Sequence, residues 1–184
     1  MASSTSDRLA LLDPAGARVR DVWLPAGSIP RDLLFDASGN ILFVYAWGTN
    51  KVLVYDFNNL PLPPSTAVPF TLDLGHDPAP APIRAGRTIW YDADRSLNGR
   101  TSCNTCHPGG KFDGLAWAIS DDPGDRKDIM VTQSLLSIFD TPNYHWRGER
   151  GLRQFNDAFV RLLGGSSVLS DAEFDQFESF IFSL

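Results

Sequence analysis

Apolar and polar positions follow two different rhythms along this chain. Up to about residue 75 they form short runs separated by turn residues, as strands do. Arg8–Asp13 is a short apolar run closed by the turn Pro14-Ala15-Gly16. Between Arg18 and Leu24, Val19, Val22 and Trp23 alternate imperfectly with polar residues. Leu33-Leu34-Phe35 leads into the turn Asp36–Asn40, and Ile41–Trp47 is a strong β-branched and aromatic run. Gly48-Thr49-Asn50 turns the chain into Lys51–Asp56, and a weaker strand is expected over Thr66–Leu74. The simplest structure with this pattern is an antiparallel meander.

The rhythm breaks at residues 76–82, where Pro78, Pro80 and Pro82 favour neither strand nor helix. This stretch is read as a linker between a first domain, residues 1–75, and a second, residues 83–184. Beyond it the spacing becomes helical. Ile83–Tyr91 predicts a short helix with Ile83 and Trp90 inward and Ile89 beside them. Asp92–Gly99 reads as a loop. Pro108–Asp128 is loop-rich and polar apart from Leu115–Ile119, and Gln133–Phe139 suits one or two helical turns. Leu152, Phe155, Phe159, Leu162 and Leu163 then recur at helical spacing, stopped by Gly164-Gly165. Ser170 and Glu173 have the spacing of a capping box, followed by an apolar face of Phe174, Phe177, Ile181 and Leu184, with Phe180 at its edge.

The chemistry concentrates between the first two predicted helices of the second domain. Ser102-Cys103-Asn104-Thr105-Cys106-His107 contains both cysteines and one of the three histidines. Cys-x-x-Cys-His is the attachment signal of a c-type haem. Two thiols three residues apart share one face of a helical turn, and each can form a thioether to a haem vinyl group. The histidine that follows can offer its imidazole to the iron as proximal ligand. Two other readings compete. A thioredoxin-like redox pair would use the same two thiols, but no βαβ pattern surrounds them. A tetrahedral zinc site would need His76 or His145 to join Cys103, Cys106 and His107.

Composition narrows the function. The chain has 184 residues, 43% hydrophobic and 21% charged, and a formal net charge of −6. It contains no basic block, which excludes the usual nucleic-acid-binding pattern, and no apolar run long enough to span a membrane. An acidic surface suits docking to a basic redox partner. Met1–Asp7 has neither the charged nor the apolar region of a signal peptide. Thioether attachment of haem normally takes place outside the cytoplasm. A periplasmic or extracellular location is therefore expected, with the sequence a mature form or a piece of a longer protein.

A resemblance sharpens these expectations. Ile29–Val44 resembles a blade of a YVTN-type β-propeller, with Asn50–Asp56 similar to the blade's third strand and Leu9–Asp13 to that strand in the preceding blade. Residues 84–184 resemble the haem domain of the di-haem cytochrome c peroxidase and methylamine-utilisation superfamily. The motifs are Ala85–Asp92, Ser102–His107, Asp113–Trp117, Thr132–Leu135, Thr141–Gly148 and the closing Leu169–Leu184 helix. The resemblance implies an α+β fold: about one and a half antiparallel blades of a partial β-propeller, then an α-helical cytochrome c-like domain. An incomplete propeller would leave an open blade edge, where a partner chain could pair.

For the site, the resemblance implies one haem c, covalently held by Cys103 and Cys106, with His107 on the iron and Trp117 beside the cofactor. Arg147 and Arg150 could pair with the haem propionates or be solvated loop charges. Related domains often have a methionine where this chain has Leu163, which cannot bind iron. The distal position is then left to His145, to an open site walled by Leu163, or to Met130; His76 reads as a solvated loop residue. The expected function is electron transfer with a redox partner protein or within a larger complex. The alternatives are a peroxidase or oxidase fragment of a di-haem enzyme, or a haem-bearing subunit of a larger redox assembly.

Overall fold

The computed structural model describes residues 1–59, 68–118, 129–141 and 143–184. Thr66 and Ala67 of the expected last strand, Ile119 and its successors to Asp128, and Pro142 lie outside the described residues. The chain divides into two compact units, Met1–Pro78 and Ala79–Leu184.

The first unit contains two antiparallel sheets. One joins β1 (Ala2–Ser3), β2 (Arg8–Leu12) and β3 (Arg18–Trp23); the other is a meander of β4 (Pro30–Phe35), β5 (Ile41–Ala46), β6 (Lys51–Asp56) and β7 (Phe70–Asp73). Strict alternation is clearest in β5, where Leu42, Val44 and Ala46 point inward. They share one core with Leu53 and Tyr55 of β6 and with Leu9 and Val22 of the first sheet. A single carboxylate pins the loop between the sheets: Asp7 accepts the N–H groups of Gly27 and Ile29 at 2.6 and 2.7 Å. Ile29 is held there at φ 46, an uncommon conformation for a β-branched residue.

The expected partial propeller is not what forms. The described strands make two small sheets and no closed sheet or array of blades. The physical reason is the core. A blade buries its faces against blades on either side, whereas these sheets bury Leu9, Val22, Val44 and Leu53 in one shared cluster.

The second unit is built on two helices, α1 (Ala81–Tyr91) and α4 (Asp171–Ile181). Pro82 sits in the first turn of α1, where its missing N–H has no intrahelical partner to lose. Ser170 and Glu173 cap α4 as their spacing predicts. The two helices pack so closely that a Cβ on Gly86 would lie 1.9 Å from the Gln176 carbonyl oxygen. Trp90 fills the interface, its ring centroid 6.1 Å from that of Phe177 and 5.9 Å from that of Phe180.

Between these helices lie α2 (Cys103–Cys106), a two-stranded sheet of β8 (Ala116–Trp117) and β9 (Met130–Val131), and α3 (Ala158–Arg161). The unit is therefore mixed α and β, not the expected α-helical cytochrome c-like domain. The long helix predicted through Leu163 is replaced by a 3-10 stretch, Leu152–Asp157, running into the four-residue α3. Asn156 is tied sideways in this stretch, donating to the Leu169 carbonyl at 2.8 Å and accepting the Leu169 N–H at 2.9 Å. Turn residues account for much of the rest, with Gly99, Gly109, Gly110, Gly114, Gly148 and Gly164 all at positive φ.

Candidate functional site

Helix α2 is a single turn, which puts Cys103 and Cys106 on one side. Its start is fastened by Thr105, whose Oγ1 accepts the Ser102 N–H at 3.0 Å. Its end is fastened by the His107 N–H, which donates to the Cys103 carbonyl at 2.9 Å. The His107 ring lies against Trp90, with centroids 6.1 Å apart. Its Nδ1 is 2.9 Å from the Gln133 carbonyl oxygen. A carbonyl can only accept, so Nδ1 carries the proton and Nε2 presents its lone pair. Burial lowers the pKa of this imidazole, which favours the neutral form that binds metals.

These groups open into a cavity of about 490 Å³, a size typical of small-molecule and cofactor sites. Its lining brings together residues distant in sequence: Cys103, Cys106 and His107 from the motif, Trp117 and Met130 from the small sheet, and His145 and Arg150 from the loop beyond. Leu162 and Leu163 complete it on one side, and Trp90, Phe159 and Phe177 join the motif to the unit's core. Trp117 is steadied by Asp113, which accepts its Nε1–H at 2.9 Å. Arg150 lies over the Phe155 ring, 5.7 Å from its centroid. Arg147 is not among the lining residues; it is exposed, and its backbone N–H donates to Glu149. His76 is exposed in the first unit.

His145 has an unusual setting. Its backbone is left-handed, at φ 72. Tyr144 and Arg150 pair across the loop, the Tyr144 N–H donating to the Arg150 carbonyl at 2.7 Å. Within this closed loop the His145 Nδ1 meets the Glu149 carboxylate, and its ring packs 6.0 Å from that of Phe155. Burial would raise the Glu149 pKa, but the hydrogen bond from His145 and its neighbours outweighs it and the net direction is down. Sequence reasoning passed over Glu149 because a glutamate between two arginines in a polar loop looks solvated.

Neither cysteine is in a disulfide, and their surroundings favour the thiol over the thiolate. Burial pushes Cys103 up to about 12 and raises Cys106 as well. Reactive dithiol pairs need the opposite shift, so this environment disfavours a thioredoxin-like role. Among the described residues, no group of three or more His, Cys, Asp or Glu side chains is placed to hold a metal ion, so the tetrahedral zinc arrangement is not assembled. Comparison with models of known protein families, with curated proteins and with solved structures finds no match.

The residues do fit a c-type haem. Two thiols face a largely apolar cavity of cofactor size, and a neutral histidine beside them offers Nε2. A second histidine on the same cavity is likewise held at Nδ1. Metal-ligating histidines usually have their other nitrogen held in this way.

Proposed function

We propose that the second unit binds one haem c and that the protein carries single electrons between redox partner proteins. The observation that carries this reading is the cavity shared by Cys103, Cys106, His107 and His145. When bound, the haem supplies a one-electron Fe(III)/Fe(II) couple. The protein's part is attachment, orientation and exclusion of water. Cys103 and Cys106 would hold the group through thioethers, each S–H adding across a vinyl double bond with no external oxidant. His107 would hold the iron through Nε2 while Gln133 fixes its ring. His145, met at Nδ1 by Glu149, would offer its own Nε2 to the iron as a second ligand. Trp90, Phe159 and Phe177 would keep water from the buried side, and Arg150 would pair with a propionate.

The acidic charge of the chain, −6, draws in a basic donor or acceptor protein. No helix among the described residues is long and apolar enough to cross a membrane. The covalent attachment chemistry favours a periplasmic or extracellular setting.

The test is expression in a host with a c-type maturation system. The purified protein is expected to keep its haem through denaturation and acid–acetone extraction, and to lose it when Cys103 and Cys106 are both changed to Ala. A low-spin ferric spectrum that turns high-spin in His145→Ala supports the carrier. A high-spin wild-type spectrum with rapid peroxide reaction would move the site to peroxidase chemistry, and a protein without covalent haem would sink the reading.

A further inference from the structure

We propose that Glu149 is a positioning residue that fixes the tautomer of His145 and, through it, lowers the reduction potential of the site; this rests on the axial role proposed above for His145. The loop geometry carries the inference. Pairing of Tyr144 with Arg150 closes a short loop, and the Gly148 N–H donates to the His145 carbonyl at 3.0 Å inside it. Glu149 is held at both carboxylate oxygens. Oε2 accepts the backbone N–H of Arg147 at 3.1 Å, and Oε1 meets the His145 Nδ1. An ionised carboxylate only accepts hydrogen bonds, so this contact puts a proton on Nδ1 and leaves Nε2 for the iron. The His145 side chain is 18% exposed and packs by Phe155, so the ring has little freedom to turn away.

The two histidines of the cavity are therefore braced differently. His107 leans on a neutral backbone carbonyl, and His145 on a carboxylate. A carboxylate at Nδ1 puts more electron density on the ring than a carbonyl does, so Nε2 becomes the stronger donor. A stronger donor favours Fe(III) over Fe(II), which lowers the potential. A plain surface ion pair between His145 and Glu149 would be worth little and would leave the iron untouched.

Two measurements decide it. In the haem-loaded protein, Glu149→Gln keeps an acceptor but removes the charge. The expected result is a low-spin spectrum with the preference for Fe(III) reduced about tenfold, a rise of ~59 mV for a one-electron couple. An unchanged potential in Glu149→Gln, while His145→Ala turns high-spin, overturns the proposal and leaves His145 ligation standing. A His145→Ala protein that stays low-spin overturns both. The second measurement needs no haem. Nitrogen-15 NMR of the apoprotein is expected to show His145 protonated at Nδ1 with bare Nε2 in the wild type and a mixture in Glu149→Ala. An Nε2–H tautomer in the wild type, or no change in Glu149→Ala, overturns the proposal even if Glu149→Gln fails to take up haem.

Discussion

Ser102 and Thr105 divide the capping of the haem-motif helix unequally. Thr105 Oγ1 accepts the Ser102 N–H, whereas the buried Ser102 hydroxyl has no hydrogen-bond partner. Replacing an N-cap serine by alanine normally costs ~1 kcal/mol, but removing an unpaired buried hydroxyl avoids its desolvation penalty. Ser102→Ala is therefore expected to leave stability within ~0.5 kcal/mol of wild type, and Thr105→Ala to lose ~1 kcal/mol. Urea unfolding of the two variants checks this, and a larger loss for Ser102→Ala than for Thr105→Ala would refute it. At this scale the motif was legible because its chemistry is local: two thiols and an imidazole within one turn. His145 is a candidate distal ligand only through resemblance. Its support from Glu149 was not legible, since that contact depends on a left-handed backbone at His145 that a polar loop sequence does not announce.

At the scale of elements, the chain was read best where capping and periodicity agree. The Ser170–Glu173 cap and the Phe174, Phe177 and Ile181 face of α4 form as their spacing predicts. Glu173 also receives the Arg95 guanidinium at 2.8 Å. The Ser170 backbone N–H and then Arg95 hold its carboxyl down at about 2, below the ~4.3 of an unfolded glutamate. A depressed folded pKa gives stability that is fully present above the unfolded value and lost as pH falls toward 2. Glu173→Gln is thus expected to cost ~1 kcal/mol at neutral pH and to flatten the loss of stability between about pH 4.5 and 2. Thermal melts across that range are the measurement, and parallel curves would refute the assignment.

The reading failed over the segment from Leu152 to Leu163 because helical spacing does not reveal competing tertiary bonds such as those of Asn156 to Leu169. Nor did it reveal Gly86, whose missing side chain lets α1 meet the α4 backbone. A methyl group there has no room. Gly86→Ala is expected to destabilise the second unit by ~3 kcal/mol or more, seen as a lower Tm.

For the molecule as a whole, the spacing predicts strands where β2 to β7 form, but neither β1 nor the way the strands assemble. Blade-like spacing in Ile29–Val44 specifies a meander; what packs on it is decided by which side chains become the shared core. Here two small sheets share Leu9, Val22, Val44 and Leu53. The division into two units at Pro78 also separates roles, since every residue of the proposed site lies in the second. The net charge belongs to the full chain, and its effect is long-range. Electron transfer with a basic partner protein is expected to slow as salt rises from about 10 mM to 0.5 M, as the screening length shrinks from about 30 Å to a few ångströms. Stopped-flow rates that are flat over this range would remove steering by charge from the account.

The backbone at His145 also makes position 145 a convenient socket for chemistry not native to the protein. At φ 72 any L-residue carries a conformational penalty of ~1 kcal/mol that glycine escapes. In a protein loaded with the proposed haem, His145→Gly would therefore open the position proposed for His145 while relaxing its loop. Added imidazole should fill the space and restore the low-spin spectrum, with an affinity readable by titration. Substituted imidazoles or small thioethers could then be exchanged at the same vacancy, so that the driving force of the proposed carrier would be set by a molecule in the buffer.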